Sequence, residues 1–411
     1  MTPAEQLKDS VLTLAHATQR DDTLTSLRRH AVEQLKVLPF PDKKQEAWKY
    51  TGLHALTAGQ LNQPATMLQH SAQFPALGDC VIVIGNGFLP AQLPDLPAGL
   101  SATTFSSATP SDKSISDEHP DTLFGWLNNA SLNDGLLLKT ERNQKVAAVV
   151  HVVFFNHSDT PCHAANRLQV ELAEGSELTL IEHYIGSGPI LANALTRIQA
   201  GPNSRITHYR LQSEAADTLH IGNLQIDQQR DSYVDSSQLM RGNVLRRNDI
   251  HVRLLESGAE LSMRGVFIAR DQSHIDNHIN VEHVAAHCPS NQIYKGIAGE
   301  KGRAVFNGRI HIHPYAKGSD ASLSNNNMLL SRDAEIDSKP ELEIYNDDVK
   351  CAHGTTVGQM DAAQLFYLRS RGIDEAKAKR MLGTGFVNET LLAMHDDSVR
   401  DWAIDWLGEA L

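Results

Sequence analysis

The chain has 411 residues, 41% hydrophobic and 21% charged, enough apolar material for a large buried core. Lys and Arg number 37 against 49 Asp and Glu, a net charge of −12 that repels polyphosphates and argues against nucleic-acid or anionic-membrane partners. Four scattered cysteines (Cys80, Cys162, Cys288, Cys351) with no C-x-x-C exclude a disulfide framework and a Cys-rich zinc site.

No run approaches the roughly 18 to 20 apolar residues of a membrane helix, and the start, Met1-Thr-Pro-Ala-Glu-Gln6, lacks the basic flank and apolar stretch of a signal peptide. A cytoplasmic protein is expected. The phosphate-binding loop G-x-x-x-x-G-K-[ST], the metalloprotease H-E-x-x-H and the hydrolase G-x-S-x-G are all missing, which excludes several chemistries and names none.

In chain order, residues 1–60 read as helical: Leu24, Leu27, Ala31, Leu35 and Leu38 share one face, and Glu46-Ala-Trp48-Lys-Tyr50 suggests a short second turn. Residues 61–134 form a mixed linking region rich in Gly, Pro and Ser, with a strand expected at Cys80-Val-Ile-Val-Ile84. Residues 135–357 switch to short alternations such as Ile250, Val252 and Leu254 against His251 and Arg253, which is strand grammar. Residues 358–411 return to helical periodicity, with Gly372 as a C-terminal cap, Asp374 as the next N-cap through Met381, and Trp402 and Trp406 on one face, expected to pack on the body.

Within the strand region, Glu174-Gly-Ser-Glu-Leu-Thr-Leu180 returns as Ser257-Gly-Ala-Glu-Leu-Ser-Met263. The apolar centres Leu178, Ile206, Val234 and Leu261 recur at about 28 residues, with half-steps of about 14 such as Leu261 to Ile275. Strands of similar length at that pitch, without helices between them, predict a mainly β protein: a parallel coil of strands, with a sandwich as the alternative. Helical ends are expected to cap the open ends of such a stack.

His274, His278, His283, His287 and Cys288 are close in sequence but not in a metal geometry, since His274 and His278 sit about 13 Å apart on an extended strand. Solvent-facing strand residues are the expectation for these. His311 and His313 point the same way with alpha carbons about 7 Å apart, yet two imidazoles alone make an incomplete site. Cys351-Ala-His353 is the stronger pair: if the strand containing Leu342 and Ile344 continues, both side chains project from one face at the end of the stack, and thiol and imidazole suit zinc, ferrous or cluster iron. Two ligands leave a tetrahedral site half empty, which fits a second chain supplying the remainder or an ion in transit.

The stretch Lys339-Pro-Glu-Leu-Glu-Ile-Tyr-Asn-Asp-Asp-Val-Lys-Cys-Ala-His-Gly-Thr-Thr-Val-Gly358, followed by Gln364-Leu-Phe-Tyr-Leu-Arg-Ser-Arg-Gly-Ile373, resembles the SufB/SufD family of the SUF iron–sulfur cluster assembly system. Lys44-Gln-Glu-Ala-Trp-Lys-Tyr-Thr51, Ser290-Asn-Gln-Ile-Tyr-Lys-Gly-Ile297 and Gly302-Arg-Ala-Val-Phe-Asn-Gly-Arg309 extend the resemblance over nearly the whole chain. Within the family it favours the SufD branch. Asn326, in Ser324-Asn-Asn-Asn-Met-Leu-Leu330, stands where the SufB branch carries a cysteine, and His353-Gly-Thr-Thr356 replaces its Glu-Ala-Thr-Thr.

The resemblance implies a right-handed parallel β-helix between helical N- and C-terminal regions. It implies pairing with SufB, a paralogue, and with SufC, an ABC-type ATPase held by the C-terminal helices, for which Leu365, Phe366, Ile373, Met381 and Phe386 are the candidate contacts. It also implies that His353 and Cys351 face SufB and complete a site for transient iron or an Fe–S cluster. The family complex is associated with reduced flavin, but no flavin motif is assignable. A self-dimer through the SufB-facing surface is an alternative for the isolated chain. Two other readings compete: a pure interaction scaffold without a metal role, and a β-helix polysaccharide lyase or hydrolase using Arg270, Asp271 and Asp276.

Overall fold

The computed structural model describes residues 3–41, 44–57, 59, 61–68, 73–108 and 122–411. Part of the loop-rich stretch expected before residue 120 lies outside them. The core is a parallel β-solenoid of about eight turns whose strands alternate between two nine-stranded sheets. The first sheet begins at Cys80–Gly85, takes in Glu177–Ser187, Arg205–Gln212, Tyr233–Arg241, Glu260–Ala269, Pro289–Ala298 and Asp320–Leu329, and ends at Lys350–Gln359. The second runs from Leu100–Thr104 through Ile190–Ala200, Leu219–Gln228, Leu245–Leu254, His274–His283 and Arg303–Ile312 to Glu335–Ile344. Among the described strands only Leu100–Thr104 pairs antiparallel to its neighbour.

The sequence period is the solenoid pitch. Leu178, Ile206, Val234 and Leu261 are register partners in one column of the first sheet, and the half-step to Ile275 crosses to the second sheet. All five point inward and join the central apolar cluster. Each turn needs a corner residue in the left-handed region. Asn203, Asp231 and His287 occupy it at φ 56°, 55° and 58°, and Asn203 N–H donates to Arg230 O, Asp231 N–H to Ser257 O and His287 N–H to Lys317 O of the following turn. Asn and Asp tolerate that backbone, and Gly175 and Gly258 supply it where the repeat reads Gly.

The helices flank the sheets instead of capping the ends. Helices α1 (Pro3–Ala17), α2 (Thr25–Val37) and α3 (Leu123–Ser131) bury Leu14, Leu35 and Leu127 against Leu191, Leu219 and Leu245 on the outer face of the second sheet. At the other chain end, α4 (Ala362–Ser370) is followed by α5 (Glu375–Leu392) and α6 (Asp397–Glu409), and the last two cover the outer face of the first sheet through Leu391, Val399 and Leu407 against Tyr209, Leu239 and Ile268. Asp374 caps α5 as expected, its carboxylate accepting from Lys377 N–H at 2.9 Å. The helix runs on past Met381 to Leu392, with Gly383 beside the Leu411 side chain. Trp402 and Trp406 stack at 4.9 Å on the body, Trp402 lying against His183. The apolar stripes of these helices lie on apolar columns of the sheet faces instead.

Polar residues also enter the interior. Glu182 shares parity with Leu178 and Leu180 and is fully buried, accepting from His208 Nε2 at 3.1 Å and Thr196 Oγ1 at 2.5 Å. Burial alone would raise its carboxyl, but Arg210 and His208 outweigh that and hold it near 2. A second cluster joins Glu214 to His220 Nδ1 and to Arg246 Nη1, both at 2.6 Å.

Buried histidines set an acid limit. Burial lowers His151 and His283 to about 4 and His163 and His183 to about 3, against 6.5 for the free side chain. Below pH 6.5 the unfolded chain takes up protons that the folded chain refuses, so stability present above that pH falls as the solution is acidified. Each such histidine contributes up to about 1.4 kcal/mol per pH unit down to its folded value. Urea midpoints are expected to be level from pH 8 to about 6.5 and to fall steadily toward pH 4; a flat profile through pH 5 contradicts buried neutral imidazoles.

Candidate functional site

Among the described residues the strand Lys350–Gln359 is the last of the first sheet and pairs only with Asp320–Leu329. No described strand follows it in the sheet, and an open edge of this kind is a template for another strand. Inward-facing columns of the solenoid run out at this rung: Met263, Gln292, Leu323 and His353 are successive partners, as are Ser290, Ala321 and Cys351. Inside the stack such positions are buried. Here no further turn covers them, so His353 is exposed and Cys351 half-buried against the core. The period-two alternation places thiol and imidazole on one face, as their spacing predicts. An added Cβ at Gly354 or Gly358 would meet nothing within 4 Å, so there is room for an approaching surface.

Burial, and then the Asp320 carboxylate, push the Cys351 thiol above its usual range. Both effects favour the protonated thiol over the thiolate. Asn326 lies half-buried on the neighbouring strand, its amide accepting from Thr356 Oγ1 at 2.8 Å.

The remaining histidines separate. His283 faces the interior, buried against Ser290 Oγ at 2.9 Å, and is not the solvent-facing residue expected. His274 bonds Thr51 at 3.0 Å, His278 bonds Asp276 at 2.8 Å, and Cys288 is buried beside Glu256 O. Strand periodicity pulls them apart, so they share no ion. The residues weighed for glycan chemistry also diverge: Asp276 pairs with Arg247 at 2.5 Å beneath the N-terminal segment, whereas Arg270 pairs with Glu300 and donates to Ala410 O at 2.7 Å under α6.

In the C-terminal region, α4 buries none of its residues. Phe366 is 73% and Met381 45% exposed; Leu365 and Ile373 are half-buried. Phe386 instead turns to the body, where Lys295 Nζ lies 5.2 Å from its ring.

The model of the SUF system FeS cluster assembly SufBD core domain matches residues 154–386, which take in most of the solenoid, including the strand carrying Cys351 and His353, and run on into α5. The chain belongs to the SufB/SufD family. It is 30% identical to the iron–sulfur cluster assembly protein SufD of Escherichia coli over 396 residues, covering 92% of this chain and 91% of that one. An iron–sulfur cluster assembly SufBD family protein of Synechocystis is 27% identical over 90% of this chain and 87% of its own, and SufD of Bacillus subtilis 25% identical over 89% and 88%. The chain is thus a SufD-type protein of SUF iron–sulfur cluster assembly. Among the described residues no helix is long and apolar enough to cross a membrane.

Proposed function

We propose that this chain is the non-ATPase SufD subunit of a SUF scaffold, in which its terminal strand Lys350–Gln359 meets SufB and lends Cys351 and His353 to a shared pocket. Iron and the nascent cluster are cargo there, not resident groups. The observation that carries this reading is the placement of a thiol and an imidazole together on the uncovered rung of an open-edged strand. Such a pair is half of a tetrahedral ligand set, and a partner's strand would supply the other half. SufC would dock on α4 and the start of α5, where Phe366 and Met381 lie unpartnered. ATP-driven closure of SufC could reshape the shared pocket only by favouring one arrangement of the paralogues over another.

The deciding experiment is co-expression with SufB and SufC, followed by iron and sulfide analysis of the purified complex. Stoichiometric capture of both partners, with iron and sulfide lost in the Cys351→Ser, His353→Ala double variant, is the expected result. Retention of both elements in the double variant favours a scaffold without a metal role. Phe366→Asp is expected to cut SufC recovery by about tenfold or more while SufB recovery stays unchanged, because it places a charge in an apolar contact; equal loss of both partners argues against a separate ATPase surface.

A further inference from the structure

Register supplies what sequence spacing left missing beside His311 and His313. Glu282 on His274–His283 lies directly opposite His311 on Arg303–Ile312, on the outward face of the second sheet. One donor atom from each of Glu282, His311 and His313 lies within 4.8 Å of the other two, on half-buried side chains. The imidazoles stack with centroids 4.2 Å apart and 5° between planes. His313 Nε2 sits 3.4 Å from Glu282 Oε2, close to the ligand-to-ligand edge of about 3.4 Å in a tetrahedral site with bonds near 2.1 Å.

We propose that Glu282, His311 and His313 form a mononuclear site for a first-row divalent cation such as zinc or ferrous iron, with a fourth position open to water. Two imidazoles and one carboxylate suit these ions, whereas magnesium and calcium favour all-oxygen shells. The carboxylate is already oriented: His251 Nε2 lies 3.1 Å from Glu282 Oε1, and Asn280 Nδ2 donates to the same oxygen at 3.1 Å. Arg309 donates to His311 Nδ1 at 3.0 Å and is clamped by Glu343 at 2.9 and 2.6 Å. Arg309 is paired with Glu343, and among the described residues Glu282 has only His251 and His313 as ion-pair partners, so its charge is left for a cation. The site lies on the opposite sheet from Cys351 and His353, so it stands or falls independently of them.

The test is cobalt(II) titration of the full chain after chelator treatment, followed by ligand-field absorption and by competition with zinc. The wild type is expected to bind about one equivalent, displaced by zinc. Glu282→Gln and His313→Ala are expected to weaken binding about tenfold or more, and the Cys351→Ser, His353→Ala double variant to leave it unchanged. Zinc should raise the melting temperature of the wild type and of neither ligand variant. Because Glu282→Gln preserves size and polarity, weakened binding in a Glu282→Gln protein that melts normally cannot be assigned to unfolding. Absence of a saturable equivalent, equal affinity in the ligand variants, or loss only in the Cys351/His353 variant overturns the proposal.

Discussion

If His353 serves the shared pocket proposed above, replacing it with alanine is expected to leave the chain folded and to cut cluster formation by the proposed complex with SufB and SufC about tenfold or more, the scale on which loss of a metal-site group acts. The residue is exposed on the terminal rung, so truncation opens no cavity and its melting temperature should stay within the range of ordinary surface changes. Cys351→Ser removes the softer donor, but it also trades a half-buried thiol that packs on the core, so a small loss of stability is expected there as well. Because that thiol is held in its protonated form by burial and Asp320, iron uptake should strengthen as pH rises. Reconstitution assays of the intact complex, scored by iron and sulfide content, give the answer. Unchanged assembly by the His353→Ala complex would remove this residue from the mechanism.

The other large effect is on stability. Glu214→Ala is expected to cost about 3–5 kcal/mol, because it strands the Arg246 guanidinium in the interior. Arg246 and His220 are fully buried and both bond the Glu214 carboxylate at 2.6 Å. That network also holds the Glu214 carboxyl far below its usual range, the burial that opposes ionisation being outweighed by Arg246 and His220. By contrast Glu33→Ala, which removes the exposed pair with Lys36 on α2, should cost no more than about 0.5 kcal/mol. Replacing Glu214 and Arg246 together by leucine and methionine should recover most of the loss, since no unpaired charge remains. Urea unfolding followed by circular dichroism separates these cases; a Glu214→Ala midpoint equal to that of Glu33→Ala would mean that water already reaches the pair.

The pitch of about 28 residues was legible because a solenoid repeats one inward column, so Leu178, Ile206, Val234 and Leu261 carry the period in the chain itself. The placement of Cys351 and His353 on one face was legible too, since alternation along a strand is a local rule. Capping of the open ends by the helices was not the outcome. Which surface a helix covers depends on apolar partners brought together by the fold, and the stripes of α2 and α6 found theirs on the sheet faces.

His283 shows the same limit at the scale of one residue: parity gives its side of the strand, but only the assembled stack makes that side the interior. Residue order by itself determined the repeat, the missing nucleotide loop and the thiol–imidazole pair, because each is written in near neighbours along the chain. Tertiary structure alone decided that the last rung stays open and that Glu282 stands opposite His311, because strand register joins residues that no local periodicity connects.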